Sequence, residues 1–181
     1  MGSENTPAVG QDIIQTLRTA HQNQTQLNLM ADQKANILIG TLVVVFTVVL
    51  TRLLTLQNGV LIYPIVVFAL MQLVPLVLST LVLIPKNIRQ TKSKRIEDMA
   101  NPLFFGCFTK FSETEYEQFL LQKLTSNSDA RALLIHDLYQ IGCILKRKYT
   151  LLRLAYIFAV LGVVVPVFYL LIVLLSTAAP L

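Results

Sequence analysis

Ile37-Leu38-Ile39-Gly40-Thr41-Leu42-Val43-Val44-Val45-Phe46-Thr47-Val48-Val49-Leu50 contains no charged residue, and it belongs to an uncharged block covering residues 35–51. Two further blocks, residues 53–85 and 154–181, are also free of Asp, Glu, Lys and Arg. A hydrocarbon core about 30 Å thick is crossed by roughly 20 predominantly apolar residues in a helix, so each block can hold one span. The bulk composition agrees. Hydrophobic residues make up 54% of the 181, and the mean hydropathy of +0.62 exceeds what a soluble core of that size requires. The chain therefore reads as an all-α integral membrane protein with three transmembrane helices.

The first span covers residues 37–54, with Arg52 near enough to its end to extend to the headgroups. Thr55-Leu56-Gln57-Asn58-Gly59 carries an Asn-Gly turn signal, which predicts reversal into a second span over residues 61–84. Pro64 and Pro75 fall within that span and predict an ordinary kinked membrane helix. The third span covers residues 154–175 and contains Pro166.

Lys and Arg in short flanking loops stay cytoplasmic. Lys86, Arg89, Lys92, Lys94 and Arg95 follow span two, while Lys146, Arg147, Lys148 and Arg153 precede or open span three. The region between these spans and the N-terminus are thus expected inside, and the Gly59 turn and Leu181 outside. The organisation expected is residues 1–34 as a cytoplasmic amphipathic helix, 35–85 as a two-span hairpin, 86–153 as a helical cytoplasmic region and 154–181 as the third span. A signal peptide is not predicted, because the first apolar run starts late and lacks a small-residue cleavage pattern. Met1-Gly2-Ser3-Glu4-Asn5-Thr6 matches the myristoylation pattern weakly, and the Asn23-Gln24-Thr25 acceptor falls on the cytoplasmic side.

The N-terminal stretch places Ile13, Leu17, Ala20, Leu27, Met30 and Ala31 at near-helical spacing among Gln and Asn, which suits packing against another protein helix. Asp32 and Lys34 are expected at the membrane boundary, solvated or paired with headgroups. Beyond span two, Asn101-Pro102-Leu103-Phe104-Phe105-Gly106-Cys107-Phe108 reads as a packed loop whose three phenylalanines bury, as anchors or as a pocket wall. Ser112 with Glu115 forms a capping box, and Phe111 with Tyr116 a hydrophobic staple, so a helix starts there and ends after Leu124. A new helix capped by Ser126 or Ser128 begins near Asp129 and can run unbroken into span three. Along it Leu134, Leu138, Ile141, Leu145 and Leu152 form a bundle seam with a gap at Lys148.

The inventory excludes several classes. Cys107 and Cys143 are predicted to be free thiols, with no paired Cys/His spacing for zinc and only His21 beside His136 for other metals. No nucleophile, base and orienting group assemble into a catalytic set, and Glu113, Glu115 and Glu117 fit the charge bias of a helix N-terminus. No catalytic or metal residue and no cofactor are therefore expected. Cations and aromatic rings together can bind a phosphate and stack a base, which nominates Asn101, Phe104, Phe105, His136, Tyr139, Lys146 and Arg147 as ligand-binding candidates. The cations are equally explained by membrane orientation, so a non-sensing scaffold or anchor that recruits a cytoplasmic partner stays open.

Three sets of residues carry a family likeness. They are Met30-Ala31-Asp32-Gln33-Lys34-Ala35-Asn36-Ile37-Leu38, then Asn101-Pro102-Leu103-Phe104-Phe105-Gly106 with Phe111-Ser112 and Tyr116, then Asp137-Leu138-Tyr139-Gln140-Ile141-Gly142 with Leu145, Lys148, Tyr149 and Leu152-Arg153. Together they resemble the membrane effectors of Pycsar antiphage defence over about residues 12–170. The resemblance implies a bacterial inner-membrane protein responding to cyclic CMP or cyclic UMP from a partner cyclase after infection, so the multi-pass topology expected from charge places the C-terminus in the periplasm. It implies that the activated effector impairs the membrane and kills or arrests the cell. Three spans without pore-lining charges cannot enclose a channel in one subunit, so a homo-oligomer in the lipid bilayer is expected, with no nucleic-acid partner.

Overall fold

The described part of each uncharged block is largely helical. The computed structural model describes residues 6–55, 62–85, 95–99 and 101–178, and its described residues contain no strand. α1 (Thr6–Thr55), α2 (Ile62–Leu83) and α5 (Asn127–Ala178) are long and apolar enough to cross a membrane. Between α2 and α5 come a single 3-10 turn (Ile96–Asp98), a short α3 (Phe105–Phe108) and α4 (Glu113–Leu124). The Asn58-Gly59 turn, the basic residues from Lys86 to Lys94, the Met1-Gly2 motif and Leu181 lie outside the described residues. The chain divides into two compact units, Met1–Asn28 with Pro85–Lys146 and Leu29–Ile84 with Arg147–Leu181. α1 and α5 contribute residues to both.

The second unit packs α1, α2 and α5 through alanines set among larger aliphatic side chains. Ala31, Ala35, Leu38 and Leu42 repeat at four, three and four residues along α1 and are buried, while Leu152 and Ala155 are buried on α5. Ala35 packs with Val82 and Leu152, and Leu38 and Leu42 pack with Ala155. The pairing advances in the same direction along both helices, so α1 and α5 run parallel here. Small residues suit this arrangement, because between helices in lipid the attraction comes from close van der Waals approach. Thr41, Thr47 and Thr51 return their hydroxyls to the carbonyls four residues earlier, which satisfies them inside α1.

Polar side chains occupy the interior of this unit at several places, Ser79 among them. Gln72, 2% exposed, donates its Nε2 to the Ala159 carbonyl at 3.4 Å, and its Oε1 has no hydrogen-bond partner among the described residues. A Cβ on Gly162 would stand 3.1 Å from the Gln72 amide, so glycine there makes room for it. Near the other end, Lys148 Nζ reaches both Asp32 oxygens at 2.7 and 2.9 Å. The gap in the α5 seam is thus filled by an ion pair. Asp32 faces a protein cation instead of the solvent or headgroups expected of it, and Lys34 lies 5.9 Å from the Tyr149 ring centre.

Proline behaves differently at its two sites in α2. Pro64 is the third residue of the helix, where its missing N–H is one that an α-helix leaves unpaired in any case. Pro75 lies inside the helix and is buried, as Pro166 is in α5.

In the first unit the local signals are obeyed closely. Ser112 accepts from the Glu115 amide at 3.3 Å, and the Glu115 carboxylate accepts from the Ser112 amide at 3.1 Å and hydroxyl at 2.8 Å. These bonds, the hydroxyl first and the amide second, hold the Glu115 carboxyl below its ordinary value of 4.5. Helix α5 begins at Asn127, two residues before Asp129, with the Ser126 carbonyl accepting from the Ala130 amide.

Asp32→Ala strands the Lys148 ammonium, whose side chain is 15% exposed. The expected cost is about 1–3 kcal/mol, below the range for fully buried pairs because Asp32 is one-third exposed. Thermal unfolding of the detergent-solubilised protein measures it, and adding Lys148→Met should recover most of the loss. For the capping box, the depressed folded value means that Glu115 contributes stability above about 4.5 that is lost as pH falls through its folded pKa. NMR titration of Ser112→Ala should show the Glu115 carboxyl rising toward 4.5.

Candidate functional site

The first unit is organised around one carboxylate. Asp137 on α5 is 5% exposed, a position a carboxylate tolerates only when its oxygens are hydrogen-bonded. Asn101 Nδ2 donates to Asp137 Oδ1 at 2.7 Å, and His21 Nε2 on α1 meets Asp137 Oδ2 at 3.0 Å. Asn101, itself 1% exposed, also accepts the Leu103 amide on its Oδ1 at 2.9 Å, an Asx turn that starts the loop. One buried side chain on α5 thereby joins α1, α5 and the turn at Asn101-Pro102.

The rest of the loop is fixed by its rings. Tyr116 on α4 donates its hydroxyl to the Pro102 carbonyl at 3.0 Å and stacks on Phe108 with ring centres 4.7 Å apart. Phe104 lies over Gly106 so closely that a Cβ there would come within 2.7 Å of the ring. The reading that all three phenylalanines bury needs correction, because Phe105 is 68% exposed. The cause is the helical turn itself: with Phe104 half-buried, Cys107 buried and Phe108 half-buried on one side, residue 105 is rotated away from it.

A cleft of about 550 Å³ opens beside the network, lined by Ile14, Arg18 and His21 from α1, Leu103 from the turn, and Leu134 and Asp137 from α5. Ile14, Arg18 and His21 follow four- and three-residue spacing, which puts them on one helix face. Leu134 and Asp137 are likewise three apart. A pocket of this size with mostly aliphatic walls and a few polar groups has the general character of a small-molecule site.

The candidates read from sequence fall at several places. Asn101, Phe104 and Phe105 share the turn and the start of α3, and Phe104 and Phe105 have ring centres 4.7 Å apart. Asn101 is turned inward with its amide committed to Asp137 and Leu103. His136 is exposed on α5 with its Nε2 2.8 Å from Gln140 Nε2, and Tyr139 is exposed one turn along. Lys146 and Arg147 are both exposed, and the boundary between the units falls between them. Arg18, His21 and Asp137 are not legible as a group, because Asp137 lies more than 110 positions from the other two in the chain. Cys107 is buried and Cys143 exposed, both free, and among the described residues no three His, Cys, Asp or Glu gather in a metal-binding cluster.

The model of the Pycsar effector protein domain matches residues 15–175. The chain belongs to that family. No curated protein and no solved structure matches it. Membership makes this Pycsar effector a component of antiphage defence, and the family implies a cyclic nucleotide signal delivered by a partner cyclase. Within the effector, the matched region contains the whole Asn101–Asp137–His21 network and all three apolar helices from their lipid-compatible segments to residue 175.

Because Asn101 supplies one of the two contacts to a buried carboxylate, Asn101→Ala should destabilise the Pycsar effector by about 1–3 kcal/mol. The melting temperature in detergent measures this. Asn101→Asp, which sets a second carboxylate against Asp137, should cost at least as much at neutral pH.

Proposed function

We propose that this effector senses a cyclic pyrimidine mononucleotide, cyclic CMP or cyclic UMP, with its first unit and impairs the bacterial inner membrane with its second. The reading is carried by the membership of the chain in the Pycsar effector family together with one feature of the fold. The helices that line the polar cleft, α1 and α5, are the same two whose later segments are apolar enough to cross a membrane. A ligand that prefers one arrangement of α1, α5 and the Asn101 turn has a direct covalent route to the spans through both helices. It shifts their equilibrium by its difference in affinity between the arrangements.

The parallel order of α1 and α5 in the second unit supports a topology with the N-terminus and the region between spans two and three on one side, the cytoplasm by the positive-inside rule. Three spans are too few to enclose a channel, so loss of membrane integrity, and with it abortive infection, requires several copies. The exposed apolar side chains of the spans, among them Val44, Val48, Leu70 and Phe168, supply surface for lipid or for neighbouring copies. Asn101, Phe104, Phe105, His136, Tyr139, Lys146 and Arg147 are the ligand residues proposed from sequence. Asn101 serves by holding Asp137, and Phe105, His136, Tyr139 and Lys146 serve from the surface of the first unit, while Arg147 falls in the second.

The test is calorimetric titration of the detergent-solubilised full chain with cyclic CMP, cyclic UMP, cyclic AMP and cyclic GMP, paired with dye release from liposomes containing the protein. Saturable binding of one pyrimidine nucleotide, with release that depends on it, is the expected result. Folded protein that binds none of the four would replace the sensor with a membrane scaffold.

A further inference from the structure

We propose that Arg18 is the anion anchor of the sensing site, receiving the phosphodiester of the nucleotide in the cleft bounded by Ile14, His21, Leu103, Leu134 and Asp137. This assignment rests on the sensing reading above and gives it a location. Three clefts invite comparison. One of about 400 Å³ in the second unit, between residues such as Val49, Phe68 and Leu170, has almost no polar lining and suits acyl chains. Another of about 560 Å³ in the first unit is lined by Glu97, Glu115 and Asp129 against Lys123, a set that repels an anion. The third, of about 550 Å³, carries Arg18.

The charges of that third cleft are unequal in a useful way. Asp137 is answered within the protein by Asn101 at 2.7 Å and His21 at 3.0 Å, so its oxygens are engaged. Arg18, exposed on α1, has no carboxylate within ion-pair distance among the described residues. Arg18 thus offers the cleft a guanidinium that no carboxylate among the described residues engages, and its planar fork of donors matches two oxygens of one phosphate. A nucleoside 3′,5′-cyclic monophosphate carries a single negative charge on a diester, which one guanidinium balances. Ile14, Leu103 and Leu134 offer aliphatic walls to the faces of the sugar and base, and a ligand seated there touches α1, α5 and the Asn101 turn together.

The location differs from the basic turn at Lys146 and Arg147, and titration distinguishes the two. The full chain in detergent is titrated with cyclic CMP and cyclic UMP as wild type, Arg18→Ala, Arg18→Lys, Ile14→Trp and Lys146→Ala/Arg147→Ala, with helicity checked by circular dichroism. Loss of a charge-assisted bidentate contact predicts that Arg18→Ala weakens binding by roughly 10- to 100-fold, with part of the loss recovered in Arg18→Lys. Ile14→Trp, which fills the cleft from an exposed position on α1, should weaken binding with helicity unchanged. Binding within twofold of wild type in both Arg18→Ala and Ile14→Trp overturns the assignment while leaving the sensing reading intact. So does a loss confined to Lys146→Ala/Arg147→Ala, which would move the phosphate to the basic turn. Folded wild type that binds neither nucleotide overturns the sensing reading, and the anchor with it.

Discussion

Two parallel helices packed through alanine and leucine are held by non-directional contacts, which alone fix their register weakly. The Asp32–Lys148 ion pair fixes it more firmly in the second unit. Its Nζ lies within 2.9 Å of both carboxylate oxygens, a geometry that survives in one register only. The net energy of such a pair is small or even unfavourable against an apolar substitute, so its value lies in specifying which residues of α1 face which residues of α5. Ala35 against Leu152, and Leu38 and Leu42 against Ala155, are placed by that choice.

The first unit uses the same device with different chemistry. There Asp137 is the fixed point, and the partners are an amide from a turn and an imidazole from α1. Both units therefore relate α1 to α5 through an Asp whose partner is more than 100 residues away in the chain. Such pairings tolerate little rearrangement without leaving a buried or half-buried charge uncompensated, which is why helices joined this way tend to have discrete arrangements.

What could be read from the sequence follows from how local each determinant is. The spans are legible because charge is excluded from blocks of contiguous residues, and the start of α4 is legible because Ser112 and Glu115 are three positions apart. The α5 seam showed itself by its spacing, gap included. The reason for the gap was not legible, because Asp32 lies 116 residues from Lys148 and nothing local couples them. The cleft is not legible for the same reason: Arg18 and His21 lie more than 110 positions from Asp137, and nothing local couples them. Phe105 was misjudged because hydrophobicity says that a ring prefers burial, whereas the phase of a four-residue helix decides which ring obtains it.

Gln72 and Gly162 form a close fit among the apolar helices, a side-chain amide occupying volume that a methyl group on the facing helix would need. Neither position is free to change alone. A methyl at 162 displaces the amide from the Ala159 carbonyl, and an apolar residue at 72 leaves a hollow beside the glycine. In evolutionary terms the two are a single unit of variation, and across related chains a glycine at the second should accompany a long side chain at the first.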